Sequence, residues 1–313
     1  MKVPGVGPVT LQKLVDAGLT DIKRLARTKL DDLLEIEGMG EKTALKIISY
    51  AQEQTGIGGP CNAMDDLDDF NKNARFISTN SKSLDELLGG GIRCGFTWEI
   101  AGVNGHGKSQ LAMQIAANSI IPKDAGGTGG KCIWIDTENT GRLAVKRIHQ
   151  IIMALGLPAD DIIRENLRLV KCENTEMQVN AVNRLLENDI KYDCVIVDGI
   201  MTKFRVEYSG RGTLADRSDQ LKPHLDALNN YAMRNDSAVI YTNQVSDSPE
   251  MYSGGPRAIG GNIVGHSAKY RLFTRMAEKG AARIVRLDKS ADLPQGEAVI
   301  RITSEGITDY KKE

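Results

Sequence analysis

The sequence predicts an α/β fold: a parallel-rich sheet covered by helices, preceded by a small all-α module. Three observations carry this expectation. Apolar runs at residues 97–101, 132–136, 194–198 and 238–245 are continuous rather than alternating and are separated by helical patterns, as in strands buried on both faces. A glycine-rich turn ending in Lys108-Ser109 joins the first run to a helical pattern. Residues 1–53 show no strand pattern and repeat one unit, a G-x-G turn followed by an amphipathic helix.

In the first unit, Pro4-Gly5-Val6-Gly7 leads into Thr10-Leu11-Gln12-Lys13-Leu14. Glu37-Gly38-Met39-Gly40 leads likewise into Thr43-Ala44-Leu45-Lys46-Ile47-Ile48. Such turns let backbone approach a phosphate, with the N–H groups of the following helix facing it. The pair resembles two helix-hairpin-helix units, which implies contact with nucleic-acid backbone without reading of sequence. A helical module that only packs is the other reading. Eight Lys/Arg against eight Asp/Glu in this stretch imply weak binding. Residues 54–74 are expected to be a linker, because Gly56-Ile57-Gly58-Gly59-Pro60 breaks the helix and Asp65, Asp66, Asp68 and Asp69 make the segment acidic. The domain expectation is therefore 1–53 helical, 54–74 linker and 75–313 α/β core.

With 313 residues, 41% hydrophobic and 26% charged, the chain has the composition of a globular protein of about two domains, not of a disordered or collagen-like one. No run reaches the ~18 apolar residues of a membrane span and no signal-peptide pattern opens the sequence, so a cytoplasmic location without membrane contact is expected. Cys61, Cys94, Cys132, Cys172 and Cys194 form no C-x-x-C pair and no cluster with histidine. Reduced thiols and no zinc-type site follow. Forty basic residues against forty-one acidic ones give −1, which taken alone argues against a nucleic-acid binder.

Gly102-Val103-Asn104-Gly105-His106-Gly107-Lys108-Ser109 fits G-x-x-x-x-G-K-[ST] in full, after a strand and before a helix through Leu111, Met113, Ile115 and Ala116. This is a P-loop: backbone N–H groups cradle phosphates, Lys108 bridges the terminal ones and Ser109 offers its hydroxyl to Mg²⁺. Gln110 follows at the helix start. Val195-Ile196-Val197-Asp198 makes Asp198 a second candidate for the Mg²⁺ shell. Asp136-Thr137-Glu138 ends an earlier strand, and Glu138 is the candidate to orient and deprotonate an attacking water. Capping is the ordinary alternative for an acid at a strand end. Gln244, closing the run Thr242-Asn243-Gln244, is a candidate sensor of the γ-phosphate, with strand capping as its alternative.

Together these residues resemble archaeal RadA-type strand-exchange recombinases over nearly the whole length. The shared segments are Phe76-Ile77-Ser78-Thr79, Leu88-Gly89-Gly90-Gly91, the P-loop, Trp134-Ile135-Asp136-Thr137-Glu138, Tyr208-Ser209-Gly210-Arg211-Gly212, Thr242-Asn243-Gln244-Val245 and Gly260-Gly261-Asn262-Ile263-Val264-Gly265-His266. The resemblance implies a RecA-like ATPase core, with ATP and Mg²⁺ between subunits of a homo-oligomeric filament or ring on single-stranded DNA. That strand is then paired with homologous double-stranded DNA, with recombination mediators as possible partners and a nucleoid-associated location. It also implies DNA contacts from Arg205, Arg211 and Arg217, a second DNA loop between Val245 and Gly265, and a γ-phosphate contact from His266 across the interface. Arginine suits the role through its bidentate fork; a solvated basic face is the alternative.

Departures from the pattern are equally specific. After Glu138 the run Asn139-Thr140-Gly141-Arg142-Leu143-Ala144-Val145-Lys146-Arg147 is longer than the family's and lacks its Phe and Pro; Arg147 is the candidate for stacking on adenine. Pro60-Cys61-Asn62-Ala63 lacks the aromatic anchor by which such linkers join subunits, and Phe70 is misplaced for it. Lys289-Ser290-Ala291 stands where relatives carry Asp-Ser-Pro, and Lys289 is expected to bring its charge to a neighbour's γ-phosphate and reduce any need for potassium; a surface lysine with no role is the equal alternative. The leading reading is an ATP-dependent recombinase. An accessory recombinase paralogue and a hexameric helicase-type ATPase are the alternatives. Uneven charge reconciles neutrality with DNA binding: residues 51–70 hold −5 and residues 266–289 hold +5.

Overall fold

The computed structural model describes residues 3–187, 190–246, 257–277 and 282–310, with the backbone alone described at 211, 246, 257 and 258. The chain divides into two compact units at Ala74 and Arg75.

The first unit holds α1 (Pro8–Asp16), α2 (Ile22–Arg27), α3 (Leu30–Leu34), α4 (Glu41–Thr55) and α5 (Ala63–Lys72). Pro8 opens α1, where its fixed φ suits the first helical turn. Leu14, Leu25, Leu33, Ala44 and Ile47, none of them exposed, form the core. Two lysines close the repeat reciprocally, each six residues after the second glycine of its own turn. Lys13 Nζ donates to Glu37 O at 2.5 Å, in the second turn, and the Lys46 ammonium lies against Gly5 in the first.

The expected linker is not extended throughout. Residues 63–72 form α5, because Asn62 Oδ1 caps it by accepting from Met64 N at 2.9 Å and the acids at 65 and 66 sit at its positive end. Met64, Leu67 and Phe70, at i, i+3 and i+6, are exposed on this helix.

The second unit runs β1 (Phe76–Ile77), α6 (Lys82–Leu87), β2 (Ile92–Arg93), β3 (Thr97–Gly102), α7 (Lys108–Ile120), β4 (Cys132–Asp136), α8 (Gly141–Ala154), α9 (Ala159–Asn166), β5 (Leu167–Lys171), α10 (Thr175–Glu187), β6 (Cys194–Asp198), α11 (Thr202–Glu207), α12 (Leu214–Asn235), β7 (Ala238–Ser246), β8 (Arg257–Ala258), α13 (Gly261–Ser267), β9 (Tyr270–Met276), β10 (Ala282–Lys289), β11 (Gly296–Thr303) and β12 (Gly306–Asp309). The main sheet has the order β12-β11-β10-β9-β3-β7-β6-β4-β5. From β9 to β5 every pairing is parallel. From β9 to β12 every pairing is antiparallel, which makes the sheet parallel-rich rather than wholly parallel. The reason is visible in β11, where buried Ala298 and Ile300 alternate with exposed neighbours, and in the two-residue turn at Ser304 and Glu305, too short for a crossover.

Apolar clusters cover both faces of the sheet. Trp98 and Trp134 are fully buried on one side, Trp98 stacking on Tyr270 with centroids 4.1 Å apart. Cys132 and Cys194 are small core residues in adjacent strands, and the cysteines are free thiols. Arg75 ties the start of the unit to Asp193 and Asp236, each at 2.6 Å. Among the described residues no helix is long and apolar enough to cross a membrane. Parallel register brings Gly102 beside Gln244 and Asp136 beside Asp198, so β3, β4, β6 and β7 all deliver polar residues to one carboxyl edge, where α/β sheets bind ligands.

Candidate active site

At that edge β3 gives way to the P-loop, and α7 starts at Lys108. Gly107 is the N-cap, with φ 94°, and a Cβ there would stand 2.9 Å from Ile302 Cδ1. Only glycine takes both that dihedral and that approach without strain. Lys108 Nζ donates to Val103 O at 3.0 Å, folded over the loop that it would leave to reach a phosphate. Burial lowers the Lys108 ammonium below its ordinary value, opposed by the Glu138 and Asp198 carboxylates.

Asp198 is fully buried at the end of β6. Its Oδ1 accepts from Thr242 Oγ1 at 2.8 Å and from Ser109 Oγ at 3.0 Å, whereas Oδ2 has no partner among the described residues. Burial, reinforced by Glu138 and Asp136, raises the carboxyl to about 6 against those two hydrogen bonds. An orphaned buried carboxylate oxygen beside the P-loop hydroxyl is the donor set of a hard cation. Among the described residues no cluster of three or more His, Cys, Asp and Glu offers an all-protein cage. The Ser109 hydroxyl and the Asp198 carboxylate fit Mg²⁺ whose remaining positions phosphate and water would fill.

The two acids after β4 divide their roles. Asp136 Oδ1 accepts from Glu138 N and Thr140 N, each at 3.1 Å, and Oδ2 accepts from Gly141 N at 2.7 Å. Asp136 therefore satisfies the first N–H of α8 from the end of β4, while Thr140 holds the N-cap position, and Glu138 turns towards the P-loop. Two donors meet Glu138 Oε1: Thr202 Oγ1 at 3.3 Å and Gln244 Nε2 at 3.4 Å. Gln244 reaches it from β7.

A cavity of about 550 Å³ opens over these groups, lined by Asn104, Gly105, Gly107, Lys108, Ser109 and Gln110 with Glu138, Arg147, Gln244, Arg283, Ile302 and Thr303. His106 lies outside that lining; its Nδ1 is buried without a partner among the described residues, and Gly102 is buried in β3. Arg147 forms one wall. It donates from Nε to Gln110 Oε1 at 3.0 Å, from Nη1 to Ser304 O at 2.6 Å and from Nη2 to Thr303 O. Its register, open in the sequence because of the altered run after Glu138, places it at this cavity. Arg283, Ile302 and Thr202 join the site without a motif to announce them.

The model of the Rad51 family matches residues 71–310, and that of the SAM-like helix-hairpin-helix tandem matches residues 1–53. The chain is 36% identical to the DNA repair and recombination protein RadA of Methanocorpusculum labreanum, over 98% of this chain and 97% of that one. The chain belongs to the Rad51 family.

In this Rad51-family chain the remaining candidates lie outside the lining of that cavity. Arg205 and Arg217 line a second cavity of about 260 Å³ with Tyr208, Ser209, Gly210 and Leu214. Arg211 begins a 3-10 turn there, its side chain outside the described residues. The expected second loop falls largely at 247–256, also outside them. His266 is exposed on α13. Lys289 does not present a free ammonium: Nζ donates to Ala268 O at 2.7 Å, Gly265 O at 3.1 Å and His266 O at 3.3 Å. All three donors are thus engaged at the end of α13, whose exposed carbonyls attract a cation. Burial, with Arg271 and Lys269 nearby, lowers its pKa.

Proposed function

We propose that this chain is an ATP-dependent DNA strand-exchange recombinase, assembling as a homo-oligomeric filament or ring on single-stranded DNA for homologous recombination and repair. It works in the cytoplasm against the nucleoid, with mediators among its partners. The observation that carries the reading is Glu138, aimed at the P-loop edge by Thr202 and Gln244 and facing Lys108 across one cavity.

Glu138 takes the proton of an attacking water, Oε1 being occupied by its two donors and Oε2 left for the transfer. Lys108 leaves Val103 O for the terminal phosphates and neutralises the charge that develops there. Mg²⁺, held by Ser109 and Asp198, supplies electrostatic stabilisation of the phosphate oxygens when bound. Arg147, Gln110 and Ile302 shape the far end of the cavity, where the base of ATP sits. His266 reaches a neighbouring subunit's nucleotide. Arg205, Arg211 and Arg217 hold the DNA backbone, and the two hairpins of residues 1–53 add sequence-independent contacts.

A strand-exchange assay with and without ATP tests the reading, with Lys108→Ala as control. ATP-dependent exchange by the native chain, absent in the variant, is the expected result. ATP hydrolysis without exchange would reassign the chain as an accessory factor, and ATP-driven unwinding as a helicase-type enzyme.

A further inference from the structure

The cavity lined by Arg205 and Arg217 and the catalytic edge share one short element, α11. Thr202 is its first residue and Arg205 lies three residues on, so the two side chains share a face of the helix. Thr202 Oγ1 donates to Glu138 Oε1 at 3.3 Å. Arg205 lines two cavities at once. One, of about 280 Å³, also touches Lys108, Glu138, Thr202 and Gln244. The other, of about 260 Å³, holds Arg217 and residues 208–210. A single arginine therefore forms the partition between the hydrolytic groups and the arginine-lined cavity.

The helix is held in a way that makes it respond as one piece. Phe204 at its centre is fully buried, stacked on Tyr208 with centroids 6.4 Å apart and tilted against His224 at 5.7 Å. Glu207 at its far end accepts from Thr175 N at 2.8 Å, at the start of α10. Its near end joins β6 through Gly199, whose φ is 90°. A Cβ at Gly199 would stand 2.3 Å from Thr202 Oγ1 and 2.8 Å from Glu138 Cγ. Glycine at this one position is what allows the hydroxyl and the carboxylate to meet.

We propose that Thr202 is a positioning residue that couples occupancy of the Arg205–Arg217 cavity by a phosphodiester backbone to the orientation of Glu138. A backbone phosphate engaging Arg205 fixes α11, and Thr202 one turn away then holds Glu138 Oε1, so that Oε2 faces the water. Without that phosphate the first turn of α11 relies on Phe204 and Glu207 alone, and the 3.3 Å contact from Thr202 to Glu138 is held less firmly. This coupling is separate from the one through Gln244, which enters from β7. It rests on the reading of Glu138 as the base, and the experiment keeps the two apart.

The test compares Thr202→Val, Thr202→Ser and Glu138→Gln with the native chain, in ATP hydrolysis titrated with single-stranded oligonucleotide and in oligonucleotide binding followed by fluorescence anisotropy. Expected for Thr202→Val is a loss of about tenfold in the DNA-stimulated kcat, with the KM for ATP and the DNA affinity within about twofold of native; Thr202→Ser, which keeps the hydroxyl, restores kcat to within about twofold. Native stimulation in Thr202→Val while Glu138→Gln is inactive would overturn the coupling alone. Loss of DNA affinity in Thr202→Val, or failure of Thr202→Ser to restore kcat, would also overturn it. Full hydrolysis by Glu138→Gln would overturn the assignment of the base itself.

Discussion

The Asp136 carboxylate accepts the backbone N–H of Glu138 at 3.1 Å, so one acid at the end of β4 fixes the backbone from which the other reaches the P-loop. Its remaining bonds, to Thr140 N and Gly141 N, close the start of α8. Two carboxylates two residues apart thus divide, the first closing the start of α8 and the second facing the P-loop cavity.

Replacing Asp136 by Ala leaves three backbone donors without their acceptor at a buried helix start. The expected cost is roughly 3 kcal/mol of stability, read from urea denaturation, together with loss of ATP turnover as Glu138 drifts. Asp136→Asn, which keeps one carbonyl oxygen, falls between the two. Unchanged stability in Asp136→Ala would show that Asp136 does not hold the turn.

His224 sets an acid limit on stability. It is fully buried on α12, its Nε2 lies 3.2 Å from Gln178 Nε2 and its Nδ1 has no partner among the described residues. Burial pushes its pKa down to about 4 from the ordinary 6.5. The unfolded chain therefore binds a proton at higher pH than the folded one does. Stability is unaffected by this group above about 6.5 and falls as pH drops towards 4, by about 3 kcal/mol over that window. In denaturation curves at a series of pH values, His224→Phe removes this component of the slope, whatever its effect on absolute stability. An unchanged slope would contradict it.

Lys289 ties the β10 edge to the end of α13 through three backbone carbonyls. Lys289→Met keeps the aliphatic stem and removes the donors. The expected loss is about 2 kcal/mol in thermal or urea unfolding, the range of hydrogen bonds from a charged group. Potassium dependence of ATP hydrolysis is the companion measurement. If the ammonium instead served a neighbouring nucleotide, the variant would keep native stability and acquire a potassium requirement.

What could be read in advance follows from how local each feature is. The P-loop, Asp198 and Glu138 declare themselves because a strand, a glycine turn and a helix start are contiguous in the chain, and their chemistry depends on that contiguity. The contacts of Lys289 with α13 were not legible because they depend on a helix that is remote in sequence until β9 and β10 fold back. Arg283 and Ile302 reach the P-loop cavity only through the antiparallel extension of the sheet, and no local pattern encodes that reach. Residues 63–72 were hidden by their acidity, which reads as a solvated linker although the Asn62 cap and the acids at the first turn favour a helix. Thr202 carries no motif at all; its meaning comes from the bare Gly199 beside it.

Arg205 and Arg217 line one cavity from α11 and α12, and neither is buried. If they bind the phosphate backbone of single-stranded DNA, their contribution is mainly counterion release, which is independent of sequence and sensitive to salt. Each of Arg205→Ala and Arg217→Ala is then expected to lower the slope of log affinity against log salt by about 0.7, similarly for oligonucleotides of different sequence. The double variant should lose about twice that. A slope that stays native while affinity falls would place the loss in the fold of residues 205–217 rather than in phosphate contact, and would remove these two arginines from the DNA face.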